Sequence, residues 1–228
     1  MGLRERIALT RRSKTLLSKR DDVIAFARHG FELFIIKEFI SKADCAYLKA
    51  MTKNDLQPSR TLGGEHPSFS DFRTSSTSNL DQSDSIVNLV ETSISNLLGI
   101  ESRNGEGIQG QYYTQGQTFK PHCDFLQENE EHWKTARREG GQRVWTAMAY
   151  LDEGMQGGET RFVKAGFNIK PVTGMLVLWA NMNDDGYPDY LTLHEAAPII
   201  SGEKTVLTKW YRERKFERPR NFKAETTA

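Results

Sequence analysis

The chain has 228 residues, 37% hydrophobic and 10% aromatic, enough to bury one substantial core and too few for two of comfortable size. Its 31 basic and 30 acidic side chains cancel to a formal +1, so no global field gathers nucleic acid or an anionic membrane, and neither is an expected partner. Cys45 and Cys123 stand in unlike contexts and make no disulfide framework, no stretch reaches the roughly 18 uninterrupted apolar residues of a spanning helix, and the start lacks an apolar h-region; the expectation is a soluble protein of a reducing, cytoplasmic compartment.

In chain order, residues 1–30 read as a basic, helical extension: Arg4, Arg6, Arg11, Arg12, Lys14, Lys19 and Arg20 are broken early only by Glu5. A transit peptide or an anion-binding arm would look like this, but a solvated helix face explains it more simply. Residues 31–215 then form a single domain and 216–228 a tail. Phe31 to Phe39 is an apolar, β-branched run, after which Ser41 with Asp44 makes a capping-box-like start for a helix through about Thr52. Asn54 to Leu80 is polar and rich in Ser, Thr and Gly, which reads as a long surface loop of the functional or mobile kind. A second helix runs from about Asp84 to Leu98, with Ile86, Leu89, Val90, Ile94, Leu97 and Leu98 at helical spacing and Gly99 as its stop.

From about Ile108 the period changes to two. Candidate strands are Gly110 to Thr114, Phe119 to Phe125, Arg143 to Leu151, Thr160 to Val163, Phe167 to Ile169, Met175 to Ala180, Leu191 to Pro198 and Lys204 to Arg212. Eight short strands after a helical preface predict an α+β, mainly β fold: a double-stranded β-helix, or jelly-roll, with N-terminal helices packed on one outer face. Glu128 to Glu139 breaks the rhythm and reads as a short solvated helix near the mouth, a candidate lid.

On a strand, His122 and Asp124 share a face while Cys123 points away, so one element offers an imidazole and a carboxylate. A surface pair would look identical. His194, seventy residues beyond Asp124 in a second predicted strand, completes the two-imidazole, one-carboxylate set that leaves positions open on Fe(II); a satisfied core histidine is the plainer reading of it alone. Structural zinc is a poorer fit, because it wants four protein ligands and Cys123 faces the wrong way. Lys204 lies ten residues after His194 and shares a strand face with Val206, Thr208 and Trp210. A buried lysine needs an anion, which a dicarboxylate chelating the metal at its other end would supply; an exposed rim lysine is the alternative.

These pieces resemble the prolyl 4-hydroxylase family of 2-oxoglutarate dioxygenases over roughly Phe72 to Glu213. In family order they are Arg73-Thr74-Ser75; Tyr113 and Gly116 leading to His122-x-Asp124; Gly141-Gln142-Arg143, Thr146 and Tyr150-Leu151; Gly157-Gly158-Glu159-Thr160-x-Phe162; Gly174 with Trp179; His194-Glu195-Ala196-Ala197-Pro198; and Gly202-x-Lys204 with Trp210. The resemblance implies Fe(II) on His122, Asp124 and His194, and 2-oxoglutarate held by Lys204 with Thr160 and Tyr113. O2 is the other co-substrate, with ascorbate as an accessory reductant. It implies that Arg143 faces a peptide substrate and that Trp210 lines its channel, although a strand-edge charge and core packing explain those two residues as readily. Thr160 as a strand residue and Tyr113 as a core aromatic are the plainer readings of that pair. The implied activity is hydroxylation of an unactivated C–H bond, C4 of a peptidyl proline, in a proline-containing peptide or protein entering between the 54–80 loop and the 128–139 insert. A sister enzyme acting on a free amino acid or other small molecule, and a catalytically silent peptide-binding jelly-roll, are the rivals. The sequence departs from the family at Phe119, where Tyr is usual, and at Thr205, where Trp is usual.

Overall fold

The computed structural model describes residues 2–59 and 72–217. Its elements are α1 (Gly2–Leu17), β1 (Val23–Arg28), β2 (Phe31–Ile36), α2 (Lys42–Asn54), β3 (Gln57–Pro58), β4 (Ser76–Asn79), α3 (Ser85–Leu98), β5 (Gln109–Tyr113), β6 (Phe119–His122), α4 (Trp133–Arg138), β7 (Arg143–Tyr150), β8 (Gln156–Gly157), β9 (Thr160–Phe162), β10 (Phe167–Ile169), β11 (Leu176–Ala180), β12 (His194–Ala196), β13 (Ile199–Ser201) and β14 (Lys204–Arg212). The main sheet has the order β1-β2-β11-β7-β14-β5-β4-β3, the minor sheet β10-β9-β12-β6, and β13 pairs with β8. Two antiparallel sheets closed over one another, with helices on the back of the larger, are the expected jelly-roll.

Alternation sorts the side chains of the main sheet into two cores. Phe34, Ala147, Leu178, Leu207 and Tyr211 face outward, where they meet Leu17 of α1, Leu48 of α2 and Val87, Ile94 and Leu98 of α3. Leu33, Met148, Tyr150, Val177, Trp179 and Val206 face inward and pack against Phe162 and Ala196 of the minor sheet. The inner core surrounds the cavity described below. Both helix starts foreseen in the sequence carry their caps: Ser41 accepts from the Asp44 N–H, and Asp84 from the Ile86 and Val87 N–H groups. Gly99 ends α3 in the left-handed conformation at φ 63°. Gly110 is required by packing, because a Cβ there would collide with the Thr52 side chain of α2.

Several expectations need correction. The boundary at residue 30 falls inside the β1–β2 hairpin, and α1 packs on α3 and β7, so the first thirty residues are built into the same core. Arg4, Arg11, Arg12 and Lys19 do form a solvated face, but Arg6 is buried against Glu213 at 2.5 Å and Glu128 at 2.7 Å. The stretch 54–80 is not simply a loop: its ends form β3 and β4, which extend the main sheet beyond β5. Its centre, and most of the 216–228 tail, lie outside the described residues. The strand expected to run from Phe119 to Phe125 stops at His122, and that expected over Leu191 to Pro198 is confined to β12 after a single helical turn at Tyr190–Thr192. No helix among the described residues is long and apolar enough to cross a membrane.

Leu98 is fully buried between the helices and the sheet. Leu98→Ala should cost about 2–5 kcal/mol of unfolding free energy in urea titration, whereas a loss below about 1 kcal/mol would mean this contact is not part of the core.

Candidate active site

β12 lies antiparallel between β9 and β6, with His194 directly opposite His122 and a register shift immediately after it. The two imidazole centroids are therefore only 4.3 Å apart. Asp124 follows the end of β6 in a bend rather than on the strand, so its approach comes from the turn and not from alternation. It nonetheless brings Oδ1 to 3.9 Å from His122 Nε2 and Oδ2 to 3.9 Å from His194 Nε2. All three donor atoms fit within 4.8 Å of one another, the one such His, Cys, Asp or Glu cluster of three or more among the described residues. Cys123 is not part of it.

The protons are arranged for a cation. His122 Nδ1 is 2.8 Å from the Lys120 carbonyl and His194 Nδ1 is 2.8 Å from the Thr192 carbonyl. A carbonyl only accepts, so each Nδ1 carries its hydrogen and each Nε2 turns a lone pair toward the shared space. Burial, reinforced by the neighbouring His194, pushes the His122 pKa down to about 3, which keeps that ring a neutral donor. Burial would raise the Asp124 carboxyl, but the two imidazoles and Arg143 outweigh it and hold it below the usual carboxylate range. Thr146 Oγ1 donates to Asp124 Oδ2 at 2.7 Å and accepts from Asn181 Nδ2 at 2.9 Å. Two neutral imidazoles and one anchored carboxylate on one side of the space fit Fe(II) with its remaining positions open, and fall one ligand short of structural zinc. Phe119 stacks on the His122 ring at 3.5 Å and 15°, fixing its plane.

The triad shares one cavity with Lys204, Tyr113, Thr160 and Trp210. Lys204 is 1% exposed, so the rim-lysine alternative is excluded. Its Nζ donates to the Gly158 carbonyl at 2.8 Å and lies 4.6 Å from the Tyr113 ring centroid. Gly158 can present that carbonyl because it sits at φ +74°, where a side chain would be strained. No carboxylate among the described residues pairs with Lys204. Burial accordingly brings its pKa down to about 7, against the weaker pull of Asp152 and Glu159. A buried cation that meets a neutral carbonyl and an aromatic ring is suited to an anionic ligand. Thr160 Oγ1 accepts from the Tyr150 hydroxyl at 2.7 Å, leaving its own hydrogen for a ligand. The Tyr113 hydroxyl instead gives its proton to Gln111 Oε1 at 3.1 Å.

Arg143 stands behind the cavity wall. Its guanidinium makes a two-pronged pair with Glu106 at 2.6 and 2.7 Å and stacks 3.9 Å from the Trp210 ring centroid, so it touches the cavity through Trp210. The insert is closed at its base by the Gln142 side chain, which accepts from Leu126 N–H at 2.6 Å and donates to the Leu126 carbonyl at 2.9 Å. Thr205 faces away from the cavity and gives its N–H to Asp152. Sequence reasoning assigned no role to Asn181, Thr146 or Gln111. A polar residue at the end of the apolar run Met175 to Ala180 was the available signal for Asn181.

The profile of the 2OG-Fe(II) oxygenase superfamily matches residues 108–212, which contain the whole constellation. Prolyl 4-hydroxylase 1 of Arabidopsis thaliana is 32% identical over 200 residues, covering 80% of this chain and 69% of that protein. Probable prolyl 4-hydroxylase 3 of the same plant is 30% identical and covers 90% of this chain and 77% of its own length. Among solved structures, the viral collagen prolyl hydroxylase of Paramecium Bursaria Chlorella virus-1 superposes with a TM-score of 0.63 at 23% identity, over 79% of this chain and 95% of that one. A Trichoplax adhaerens prolyl hydroxylase, solved with a hypoxia inducible factor peptide fragment, does so at 0.59 and 15% identity over 92% of both chains. On sequence and fold together, the chain belongs to the prolyl 4-hydroxylase family of 2OG-Fe(II) oxygenases.

Proposed function

We propose that the chain hydroxylates C4 of a prolyl residue in a peptide or protein, with Fe(II) held by His122, Asp124 and His194 and 2-oxoglutarate anchored by Lys204. The observation that carries this reading is the buried Lys204 cation, without a carboxylate partner among the described residues, in the same cavity as the triad. Iron and 2-oxoglutarate, when bound, supply the O2-derived oxidant for a C–H bond and release succinate and CO2.

Each side chain then has a limited task. His122 and His194 keep Nε2 free, because their Nδ1 hydrogens are bound to carbonyls. Thr146 fixes the rotation of the Asp124 carboxylate, and Asn181 fixes Thr146. Lys204 neutralises the far carboxylate of 2-oxoglutarate, and the Thr160 hydroxyl adds a neutral donor. Tyr113 supports the lysine through its ring face and would join the carboxylate only by turning its hydroxyl away from Gln111. Trp179, Phe162 and Met148 keep water from the inner end of the cavity. Trp210 and the Arg143 behind it form the wall toward the mouth, where a peptide would lie.

A prolyl substrate is supported by the relatives named as prolyl 4-hydroxylases and by the Trichoplax neighbour, which was solved with a peptide. Residues 72–74, at the described end of the 54–80 stretch, run beside Thr118–Lys120, so a segment entering there would pass over Phe119 toward His122. Phe119 lacks the hydroxyl of the family's usual Tyr, so the substrate is gripped by apolar contact at that point. Ascorbate as an accessory reductant and a cytoplasmic location complete the reading, the latter resting on the two free thiols Cys45 and Cys123.

Anaerobically purified protein given Fe(II), 2-oxoglutarate and O2 should add about 16 Da to proline-containing peptides and leave free L-proline unchanged, with His122→Ala abolishing the gain. Turnover of free proline alone would favour the small-molecule rival, and no 2-oxoglutarate-dependent succinate release would favour the silent one. Thr146→Val should weaken Fe(II) or Mn(II) binding by about 10- to 100-fold in direct titration, because the carboxylate loses its orienting donor. The lowered Lys204 pKa sets a pH dependence. Without ligand the ammonium is lost above about pH 7, and a bound dicarboxylate restores it, so binding takes up a proton there. The Kd for 2-oxoglutarate should rise as pH increases from 7 to 9, with proton uptake seen by calorimetry in two buffers. Lys204→Met should raise the Kd by about 10- to 100-fold at pH 7 and remove this dependence. A wild-type Kd flat across that range would contradict the assignment.

A further inference from the structure

β1 forms one border of the main sheet and pairs, among the described residues, only with β2. Its sequence Val23-Ile24-Ala25-Phe26-Ala27-Arg28 carries none of the usual protection of an open edge: it has no proline, no bulge and no charge before Arg28. All but Val23 are exposed, including Ile24 at 39% and Phe26 at 41%. A border of this composition is a template for another strand.

The hairpin fixes which groups face outward. β1 and β2 are joined by the two-residue turn His29-Gly30, both at positive φ (55° and 86°), which makes Arg28 and Phe31 the closing pair that exchanges both hydrogen bonds. Bonding then alternates, so Arg28, Phe26 and Ile24 spend their main-chain groups on β2, while Ala25 and Ala27 direct theirs to the open side and Val23 offers its carbonyl there, its N–H being given to the Arg20 carbonyl at 3.4 Å.

The open side fits itself. An antiparallel copy whose two-fold axis passes beside Ala25 pairs Ala25 with Ala25 and sets Val23 beside Ala27, using the outward N–H and C=O groups of Ala25, the Ala27 N–H and the Val23 carbonyl. The same register sets Ile24 against Phe26 of the other copy and Asp22, the residue before the strand, against Arg28. Ile24, Phe26 and Arg28 lie on one face, at non-hydrogen-bonded positions where cross-strand side chains come closest, and Asp22 stands in the turn immediately before them. A shift by two residues in either direction loses the Asp22–Arg28 match. Phe26 already contacts Phe167 at 6.3 Å, so the second copy's Ile24 would extend an existing apolar strip. Arg28 gives Nη1 to the Gly166 carbonyl, and Asp22 pairs, among the described residues, with the exposed Arg20, a surface interaction easily exchanged.

We propose that the chain self-associates through β1, joining two main sheets edge to edge across a two-fold axis at Ala25, with Asp22 of each copy paired to Arg28 of the other. One six-residue strand pair buries less than a standard interface, so the association is weak and concentration-dependent. Sedimentation velocity of the intact protein between about 1 and 200 µM should show the mass moving from one chain toward two. Ala25→Pro, which removes an outward N–H and no bond to β2, should hold it at one chain. Asp22→Arg and Arg28→Asp should each weaken the dimer by at least tenfold, and the double reversal should restore it, with thermal melts confirming that each variant is folded. A mass that stays at one chain throughout, a dimer that survives Ala25→Pro, or a double reversal that restores nothing overturns the proposal.

Discussion

Direct opposition of His194 and His122 across the β12–β6 pair is the constraint on which the site depends. Register sets the two residues face to face, and the Nδ1 bonds to the Lys120 and Thr192 carbonyls orient rings whose centroids are 4.3 Å apart. A slip of one residue would turn one ring to the other face of the minor sheet and dissolve the arrangement. β9 on the far side of β12 holds that register, and Phe162 of β9 packs 5.4 Å from the His194 ring. The inner core of the barrel is therefore also the support of the candidate metal ligands.

Around that register the protein has set opposite charges apart in one enclosed space. The Asp124 carboxyl lies below the usual carboxylate range and accepts from the Thr146 hydroxyl, while Lys204, on β14, has the Gly158 carbonyl and the Tyr113 ring face. Neither charge neutralises the other. A cation at one end and a dicarboxylate bridging to the other would satisfy both, which is why the pair is more informative than either residue. Lys209, on the other face of the same strand, shows the contrast: it is equally buried but is paired with Glu91 at 2.7 Å. Glu106 likewise holds Arg143 and Arg212 together behind Trp210. Lys209, Arg143 and Arg212 are thus balanced by carboxylates of the chain itself, whereas Lys204 meets a neutral carbonyl and an aromatic ring.

Much of this was legible in the sequence because period-two alternation is local. Lys204, Val206, Thr208 and Trp210 were expected on one face, and all four line the cavity. His122, Asp124 and His194 were expected to meet, and they do, although Asp124 arrives from a bend that alternation does not describe. β1 escaped notice because it is exposed on both faces and so has no hydrophobic period. β3 and β4 escaped because their Ser- and Thr-rich strands resemble a loop until β5 is beside them. Arg6 looked like part of a solvated face, and only the folded chain brings Glu213, more than two hundred residues away, to meet it. Arg143 was placed in the right neighbourhood, but its Glu106 partner depends on a long-range contact that no motif spacing encodes.

The central claim is that three side chains from β6, its following bend and β12 hold one ion, with Lys204 fixing the dicarboxylate beside it. A crystal structure grown anaerobically with Mn(II) and 2-oxoglutarate, using anomalous scattering to locate the metal, tests it most directly. The account predicts one metal peak about 2.0–2.3 Å from His122 Nε2, His194 Nε2 and an Asp124 oxygen, with the distal carboxylate of 2-oxoglutarate on Lys204 Nζ. A metal bound elsewhere, or a dicarboxylate that leaves Lys204 with Gly158 alone, would contradict it.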